Sequence, residues 1–445
     1  NSAGVDTSDH EVNIKILLGL AVSEGELTDK QRNTLLPQMT DDVAALVLRD
    51  NIFQTQVLSV TGHMAPQLMD AQARFMQYLE KTERLDRAIE YLPSNEEIAD
   101  RRGKGLGLTA PERAVLLAYS KMWLYDELLS STLPDDPWVS TALVRYFPTL
   151  LQDKFSGYMQ RHPLKREIIA THVTNSMINR VGSTFVHRLL ETTGARAFEI
   201  VRAYLLSREI FGMVSLWQGI EALDNKVPDA MQSYMLIDTS RQLERGTKWF
   251  LRSNRLVDDM GHTIEHFTAN VTKLAERLPQ LLDADERARV DAAAAHYVAG
   301  GVPRELAERV VTFGTLYATL DIAEIAGSAR WPVELVAAIY FDLANRLGMP
   351  WLRDTITALP VDQHWQMLAK GAMLDDLWGL QRSITGAVLA GGGDHASPTA
   401  LVEAWQASNG RTIERAEQLL GELRAVPAPD AAMLSVALRE LRGLT

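Results

Sequence analysis

Apolar residues recur with a helical period along most of the chain, and the alternation typical of half-buried strands is nearly absent. The first such run follows Ser8 to Glu11, which fits a capping box in which Ser8 accepts a free N–H and Glu11 reaches back to the cap. The residues from Val12 to Ala21 are apolar around most of the helix circumference. The pattern therefore predicts a buried helix that begins at Ser8 and ends near Gly25.

Further helix starts are visible along the chain. Thr109 and Glu112 frame a second capping box, and Ser397 precedes a proline at the first helical position. Thr40 precedes a periodic run that reaches about Val60. Later helices are predicted at about 227–253, 257–282, 303–326, 333–347, 362–390, 400–424 and 429–442. This density of caps and helical runs predicts an all-α body of many packed helices.

One segment is unusual because it lacks charge. Apolar residues recur every four positions from Leu164 to Thr193, and residues 170–179 carry no charged side chain, so we expect one long interior helix. His172, Asn175 and Asn179 form a polar stripe on it. Each would cost about 1–3 kcal/mol if it were left unpaired. We expect hydrogen bonds within the helical body, with a subunit interface as the alternative.

Glycines mark the clearest interruptions of the helical pattern. Gly103 to Gly107 follows no strand and precedes a helix cap, so it is interpreted as a flexible loop and not as the turn of a dinucleotide-binding fold. Gly391 to Asp394 is expected to be the most flexible stretch. No repeat of fixed period is visible, which argues against a regular solenoid.

The composition narrows the functional classes. The 445 residues include 57 acidic and 45 basic side chains, and the net charge of −12 disfavours binding to nucleic acid. The absence of cysteine excludes disulfides and thiolate zinc sites, and it fits the cytoplasmic location that we expect. No run of about 18 apolar residues is present, so no membrane span is expected. The chain starts at Asn1 without a Met or a signal peptide, and it is interpreted as a fragment.

The first eight residues carry the strongest candidate chemistry. Asn1 to Ser8 is a segment of small residues that leads into a predicted helix N-terminus, where free N–H groups and the helix dipole favour an anion. A hydroxyl at such a position can bind a carboxylate. The spacing alone leaves two interpretations open, Ser8 as a substrate ligand or Ser8 as only a helix cap.

The same segment, NSAGVDTSDHE, resembles the turn N-A-G-G-V-T-V-S-Y-F-E that follows the last strand of the nucleotide-binding domain in glutamate dehydrogenases. It keeps the asparagine, a central glycine, the valine, the serine and the glutamate at the same spacing. The continuation DHEVNIKILL and the stretches from Gly107 to Lys121 and from His162 to Leu189 look like the large bacterial NAD-specific members. The chain thus resembles a C-terminal region of that family.

The resemblance implies roles for three positions. The family serine matched by Ser8 contacts the side-chain carboxylate of glutamate or 2-oxoglutarate, and the valine matched by Val5 lines the aliphatic stem of the substrate. The asparagine matched by Asn1 lies near the nicotinamide of NAD. The catalytic lysine and aspartate and the fold that binds most of NAD are expected upstream of Asn1. The chain alone is therefore expected to be inactive, with no catalytic residue of its own.

The chain departs from the smaller members of the family at Ser2, Asp6, Asp9 and His10. A carboxylate that faced a dicarboxylic substrate would repel it, so Asp6 and Asp9 are expected to point away from the substrate. His10 is expected to be a partly exposed histidine in the first helical turn.

A different chemistry is suggested by His262, Glu265 and His266, which match the HxxEH pattern of inverted zinc peptidases. Two histidines on one helix face could hold zinc with the glutamate as base, and Glu324 is a candidate for a further ligand. So short a match is weak in an acidic helical protein, and no metal is expected. A zinc hydrolase remains an alternative. Tryptophans such as Trp123 and Trp365 are interpreted as packing residues.

The combined interpretation divides the chain near residue 60. Residues 1–60 are interpreted as the end of an α/β catalytic domain, with a substrate-pocket turn and a pivot helix between the lobes of the cleft, and residues 61–445 as a helical C-terminal domain. The resemblance implies that the full enzyme, a homo-oligomer, converts L-glutamate, NAD and water to 2-oxoglutarate, ammonium and NADH. The other alternative is a helical oligomerisation or regulator-binding module without a catalytic role.

Overall fold

Helices account for the regular structure of the chain, as the periodicity predicts. A computed structural model describes residues 3–329, 331–361, 364–391 and 397–445. No β-strand occurs among these residues, and the predicted all-α fold is confirmed. The helices form two compact units. Unit 1 comprises residues 1–208 and 228–261, and unit 2 comprises residues 209–227 and 262–445.

The helices of the first half of the chain belong to unit 1, except for the last two residues of α12. In chain order they are α1 (Ala3–Ser23), α2 (Asp29–Gln38), α3 (Thr40–His63), α4 (Ala65–Lys81), α5 (Asn95–Gly103), α6 (Ala110–Leu129), α7 (Ala142–Tyr146), α8 (Thr149–Gln152), α9 (Ser156–Met159), α10 (Lys165–Val181), α11 (Phe185–Thr193) and α12 (Ala197–Ile210).

The remaining helices belong to unit 2, except the second, which completes unit 1. They are α13 (Met213–Glu221), α14 (Asp229–Arg252), α15 (Met260–Leu281), α16 (Ala284–Ala299), α17 (Arg304–Leu316), α18 (Ala318–Ala329), α19 (Val333–Arg346), α20 (Met349–Ala358), α21 (His364–Ala390), α22 (Pro398–Arg424) and α23 (Ala431–Arg442).

Several helix ends follow the capping signals of the sequence. At the start of α6, the backbone N–H of Thr109 donates to Oε2 of Glu112 at 2.7 Å. At the start of α22, the Ser397 hydroxyl accepts from the backbone N–H of Ala400 at 3.3 Å. Gly25 follows the end of α1 with a φ of 80°, a conformation that glycine adopts at little cost. These predicted boundaries are confirmed.

The predicted long helix over residues 164–193 is wrong in one respect, because it is broken at Gly182. Gly182 has a φ of 79°, which cannot continue a right-handed helix, and the chain resumes as α11. The first part, α10, packs against α3, α6 and α7, and its apolar side is buried. An interior position for this helix is thus confirmed. The predicted helix over 303–326 is also two helices, α17 and α18, while α16 and α20 were not predicted.

The segment from Gly103 to Gly107 links α5 to α6 and follows a helix, so it is not a nucleotide-binding turn. It is not a loose loop, however, because Gly107 lies directly against the backbone of Ala65 at the start of α4. The other predicted flexible stretch starts at Gly391, and its residues 392–394 lie outside the described residues.

The core of unit 2 lies where α15 and α18–α23 pack together. Its polar centre is Tyr340, whose hydroxyl donates to Asp321 and whose carbonyl oxygen accepts from the Gln381 amide at 3.1 Å. Most tryptophans serve packing, and Trp123 is fully buried in unit 1, but Trp365 is 76% exposed, so its interpretation as a core residue is wrong.

The described helices each fall short of a membrane span in length or in apolar character. None of them is by itself both long and apolar enough to cross a bilayer. The pair α17 and α18, bent by 51° relative to one another, meets the length and composition criteria only when the two are taken together.

Candidate functional site

Helix α1 begins earlier than the sequence pattern predicts. Its first residue in the structure is Ala3, so Ser8 lies in the second turn, and the capping box predicted for Ser8 and Glu11 is wrong. Alanine is the best helix former, and Asp6 in the first turn is favoured by the helix dipole. The Thr7 hydroxyl donates to the Ala3 carbonyl at 2.7 Å, so this segment is part of the helix and not a separate turn.

The two predicted substrate residues share one exposed side of α1. Val5 is 73% exposed, and Ser8, three residues later, is also exposed. Residues three apart lie on the same helix face, so the two side chains can contact one ligand. Asn1, the predicted nicotinamide neighbour, lies outside the described residues. Substrate binding by Val5 and Ser8 stays a prediction.

A polar cluster that the sequence did not reveal lies between α1 and α7. Tyr146 of α7 donates its hydroxyl hydrogen to Oδ2 of Asp9 at 2.6 Å, and the Tyr146 hydroxyl oxygen accepts from Nδ2 of Asn13 at 2.9 Å. The His10 ring stacks on Tyr146 with 4.3 Å between ring centroids. His162 Nε2 lies 3.1 Å from the carbonyl oxygen of Asn13. We name Asp9, His10, Asn13 and Tyr146 the α1 polar cluster.

Burial governs the ionisation of this cluster. His10 is only 7% exposed, so its predicted position as a partly exposed histidine is wrong. Burial lowers the pKa of His10, although the nearby charges of Asp9 and Asp6 oppose this, and the ring is therefore neutral at pH 7. Burial and the hydrogen bond to Asp9 raise the pKa of Tyr146, so this phenol keeps its proton. The cluster thus joins α1 to α7 through a neutral phenol and a carboxylate.

Asp6 is held in a different charged environment. Its charge acts on Lys121 of α6 and on Asp50 of α3. Burial lowers the pKa of Lys121 to about 8 despite the favourable charges of Asp50 and Asp6, and it raises the pKa of Asp50. Asp6 and Asp9 therefore interact with other helices of unit 1.

Replacing Tyr146 by phenylalanine should destabilise the packing of α1 by about 1–2 kcal/mol, because Asp9 loses a donor and Asn13 loses an acceptor in a buried place. The ring stacking on His10 is retained in this variant. Hydrogen exchange of peptides from α1 measures the effect, with Tyr91→Phe as the control because Tyr91 is 90% exposed. Equal protection of α1 in both variants would contradict the role given to the phenol.

At Asn179, the polar stripe of α10 lacks the hydrogen bonds that we expected. Asn179 is 2% exposed, and its side-chain amide has no hydrogen bond to any described residue, contrary to our expectation. Burial, together with the charges of nearby arginines, lowers the pKa of His172 to about 3, so its ring is neutral. Whether the stripe belongs to a subunit interface stays open as a prediction.

The HxxEH residues lie on α15, and the His262 and His266 side chains are exposed. Across the described residues, no group of three or more potential ligands is arranged to hold a metal ion. A zinc hydrolase is therefore not favoured.

Comparison with known proteins identifies the family. The family model described as glutamate dehydrogenase, C-terminal, matches residues 105–443, and that described as bacterial NAD-glutamate dehydrogenase, catalytic domain, matches residues 1–61. The latter range contains α1 with both predicted substrate residues. The two models match in the same order as the blocks of resemblance in the sequence.

Curated relatives match along the whole chain. The NAD-specific glutamate dehydrogenase of Pseudomonas aeruginosa is 42% identical over 444 residues, that of Halomonas elongata 39% over 441 residues and that of Mycobacterium tuberculosis 38% over 445 residues. The alignments cover 99–100% of this chain and 27% of each relative, so the chain spans about a quarter of their length. The chain belongs to the bacterial NAD-specific glutamate dehydrogenase family and corresponds to a C-terminal region of it.

Proposed function

We propose that this chain is part of an NAD-dependent glutamate dehydrogenase and supplies one wall of its substrate pocket. In the overall reaction, L-glutamate, NAD⁺ and water give 2-oxoglutarate, ammonium, NADH and a proton. When bound, NAD⁺ would supply the hydride acceptor for the oxidation of glutamate at its α-carbon. The observation that carries the proposal is the match of residues 1–61 to the catalytic domain of the bacterial enzymes.

The role of this chain in the pocket would be to position the substrate. Ser8 would donate its hydroxyl hydrogen to the distal carboxylate of glutamate, and Val5 would contact the aliphatic stem. Their exposure on one face of α1 supports this assignment. No residue of this chain is assigned to the chemical steps.

The described residues do not fit the role of an NAD-binding fold. They contain no strand, and their glycine cluster, Gly103 to Gly107, links two helices. NAD would be bound mainly by the rest of the enzyme, with Asn1 near the nicotinamide, and no step through NAD is assigned to the described part of this chain.

Residues 1–60 would form the end of the catalytic domain, with α1 as the pivot helix, and residues 61–445 a helical scaffold for assembly. The buried side of α1 packs against α3, which supports a fixed position for this helix. We propose a cytoplasmic homo-oligomer that binds neither nucleic acid nor membranes, in agreement with its net charge of −12 and its lack of cysteine. The native mass of the enzyme in solution, measured by light scattering, tests the oligomer.

Replacing Ser8 by alanine in the full-length enzyme should raise KM for glutamate about tenfold to a hundredfold, the equivalent of one hydrogen bond to a charged group. Discrimination against monocarboxylic amino acids should fall, because the site no longer forms the Ser8 hydrogen bond to the distal carboxylate. Steady-state kinetics with glutamate and with norvaline measure both effects.

Thr7→Ala is the matched control, since the Thr7 hydroxyl already donates to the Ala3 carbonyl within the helix. Its KM should stay close to that of the parent enzyme. Unchanged KM and unchanged selectivity in Ser8→Ala would refute the assignment of Ser8.

A further inference from the structure

Unit 1 contains a small cavity that the proposed catalytic role does not use. It lies between the segment that leads into α7 and the helices α10 and α12. Its polar and aromatic lining consists of Trp138, Thr141, Arg145, His172, Ser176 and Arg208. The described lining includes no aspartate or glutamate, so positive charge dominates the cavity wall.

Arg145 is the most informative residue of this lining. It forms no hydrogen bond or ion pair with any described residue, and its side chain is exposed to solvent, where a ligand can reach it. The nearby Arg202 is different, because its guanidinium donates to Asp136 at 2.7 Å and to the carbonyl oxygen of Asp258 at 2.8 Å.

His172 adds a polar group without adding charge. Its side chain lines the cavity, and burial together with the charges of Arg208, Arg49 and Arg145 lowers its pKa to about 3. A neutral imidazole can donate one hydrogen bond and accept another. The lining therefore combines the guanidinium groups of Arg145 and Arg208 with one neutral hydrogen-bonding ring, while Trp138 and Val173 form an apolar part of the wall.

We propose that this cavity binds a small oxyanion, either a carboxylate or inorganic phosphate, through Arg145, with His172 as a further hydrogen-bonding group. Guanidinium groups present planar donor pairs that match the oxygens of carboxylate and phosphate. The ligand is small because the cavity between the two helices and the segment before α7 has little free volume.

The oxyanion cavity is separate from the predicted substrate residues. Val5 and Ser8 lie on the exposed side of α1, whereas Tyr146, the residue after Arg145, contacts the buried side. The proposal thus goes beyond the proposed function and stands if the substrate role of Ser8 fails.

Isothermal titration calorimetry of the full-length enzyme tests the proposal. Inorganic phosphate and succinate are titrated in separate experiments at constant ionic strength. The anion that gives saturable binding shows whether the ligand is a phosphate or a carboxylate. Arg145→Gln should weaken that binding about tenfold or more, because a charge-assisted contact is lost. Arg439→Gln, which removes an exposed arginine of unit 2, should leave it unchanged.

A second variant separates binding in the cavity from binding to a surface charge. Ala142→Leu narrows the cavity without changing its charge and should also weaken binding. Saturable binding that both variants reduce supports the proposal. The proposal is overturned if neither anion gives saturable binding, if Arg145→Gln binds as the parent does, or if only Arg145→Gln and not Ala142→Leu loses affinity.

Discussion

Replacing Gly107 by alanine is expected to lower the free energy of unfolding of unit 1 by about 3 kcal/mol or more, at the upper end of overpacking effects. A Cβ atom on Gly107 would lie 2.2 Å from both the carbonyl carbon and the oxygen of Ala65, and 2.7 Å from its Cβ. The two nearest atoms belong to the backbone at the start of α4, so relief requires a shift of α4 or of the segment before α6. Hydrogen exchange of α4 and α6 peptides measures the loss locally.

Gly103→Ala is the matched control, because a Cβ at Gly103 meets no atom within 4 Å. Gly103 is the last residue of α5, and alanine there should leave stability unchanged or raise it by about 0.5 kcal/mol. Equal stability of the Gly107 and Gly103 variants would show that the close approach at Gly107 is relieved without cost.

The sequence predicts helices well where local chemistry determines them. The Thr109 and Ser397 caps depend only on neighbouring residues, and both helices begin where the capping pattern indicates. The apolar and uncharged residues 170–179 likewise require burial wherever the helix packs. Such features are local, so one sequence is sufficient to predict them.

Interruptions of helices were harder to predict. Gly182 breaks a run whose apolar period continues across it, because the backbone there adopts a φ of 79° that only the tertiary packing selects. At the start of α1, the sequence pattern predicted a boundary that does not exist. Ser8 has the residue type of a cap, but the helix already begins at Ala3. Residue preferences alone do not decide between a cap and a helix interior.

The candidate sites depend on contacts between distant parts of the chain. Asp9 and Tyr146 are 137 residues apart in sequence, and no pattern around either residue indicates that they meet. Arg145 and His172 were likewise not expected to line one cavity. The resemblance to a family indicated Val5 and Ser8, because that information is carried by a contiguous motif. The α1 polar cluster and the oxyanion cavity had no such motif.

Glu244 forms a largely buried ion cluster with one arginine and one lysine in unit 1. Its carboxylate, on α14, accepts from Arg188 of α11 at 2.8 Å and from Lys248 at 2.9 Å, and its side chain is 18% exposed. Burial alone raises the pKa of Glu244, but the charges and hydrogen bonds of Arg188 and Lys248 outweigh this and lower it to about 2. The carboxylate therefore stabilises the folded state in its ionised form.

Replacing Glu244 by glutamine should destabilise unit 1 by about 3 kcal/mol at pH 7, because two cations lose their buried partner. The pKa in the folded state lies below the ordinary value of 4.5, so the stabilisation is fully present above about pH 4.5 and is lost as the pH falls towards 2. The measurement is hydrogen exchange of α11 and α14 peptides between pH 7 and pH 3, corrected for the intrinsic exchange rates. The difference in local stability between parent and variant should become smaller below pH 4.5. Asp100→Asn removes an exposed pair with Lys104 and should change stability by less than about 0.5 kcal/mol. If the stability difference between the parent and Glu244→Gln stays constant down to pH 3, packing and not the ionised carboxylate accounts for the lost stability.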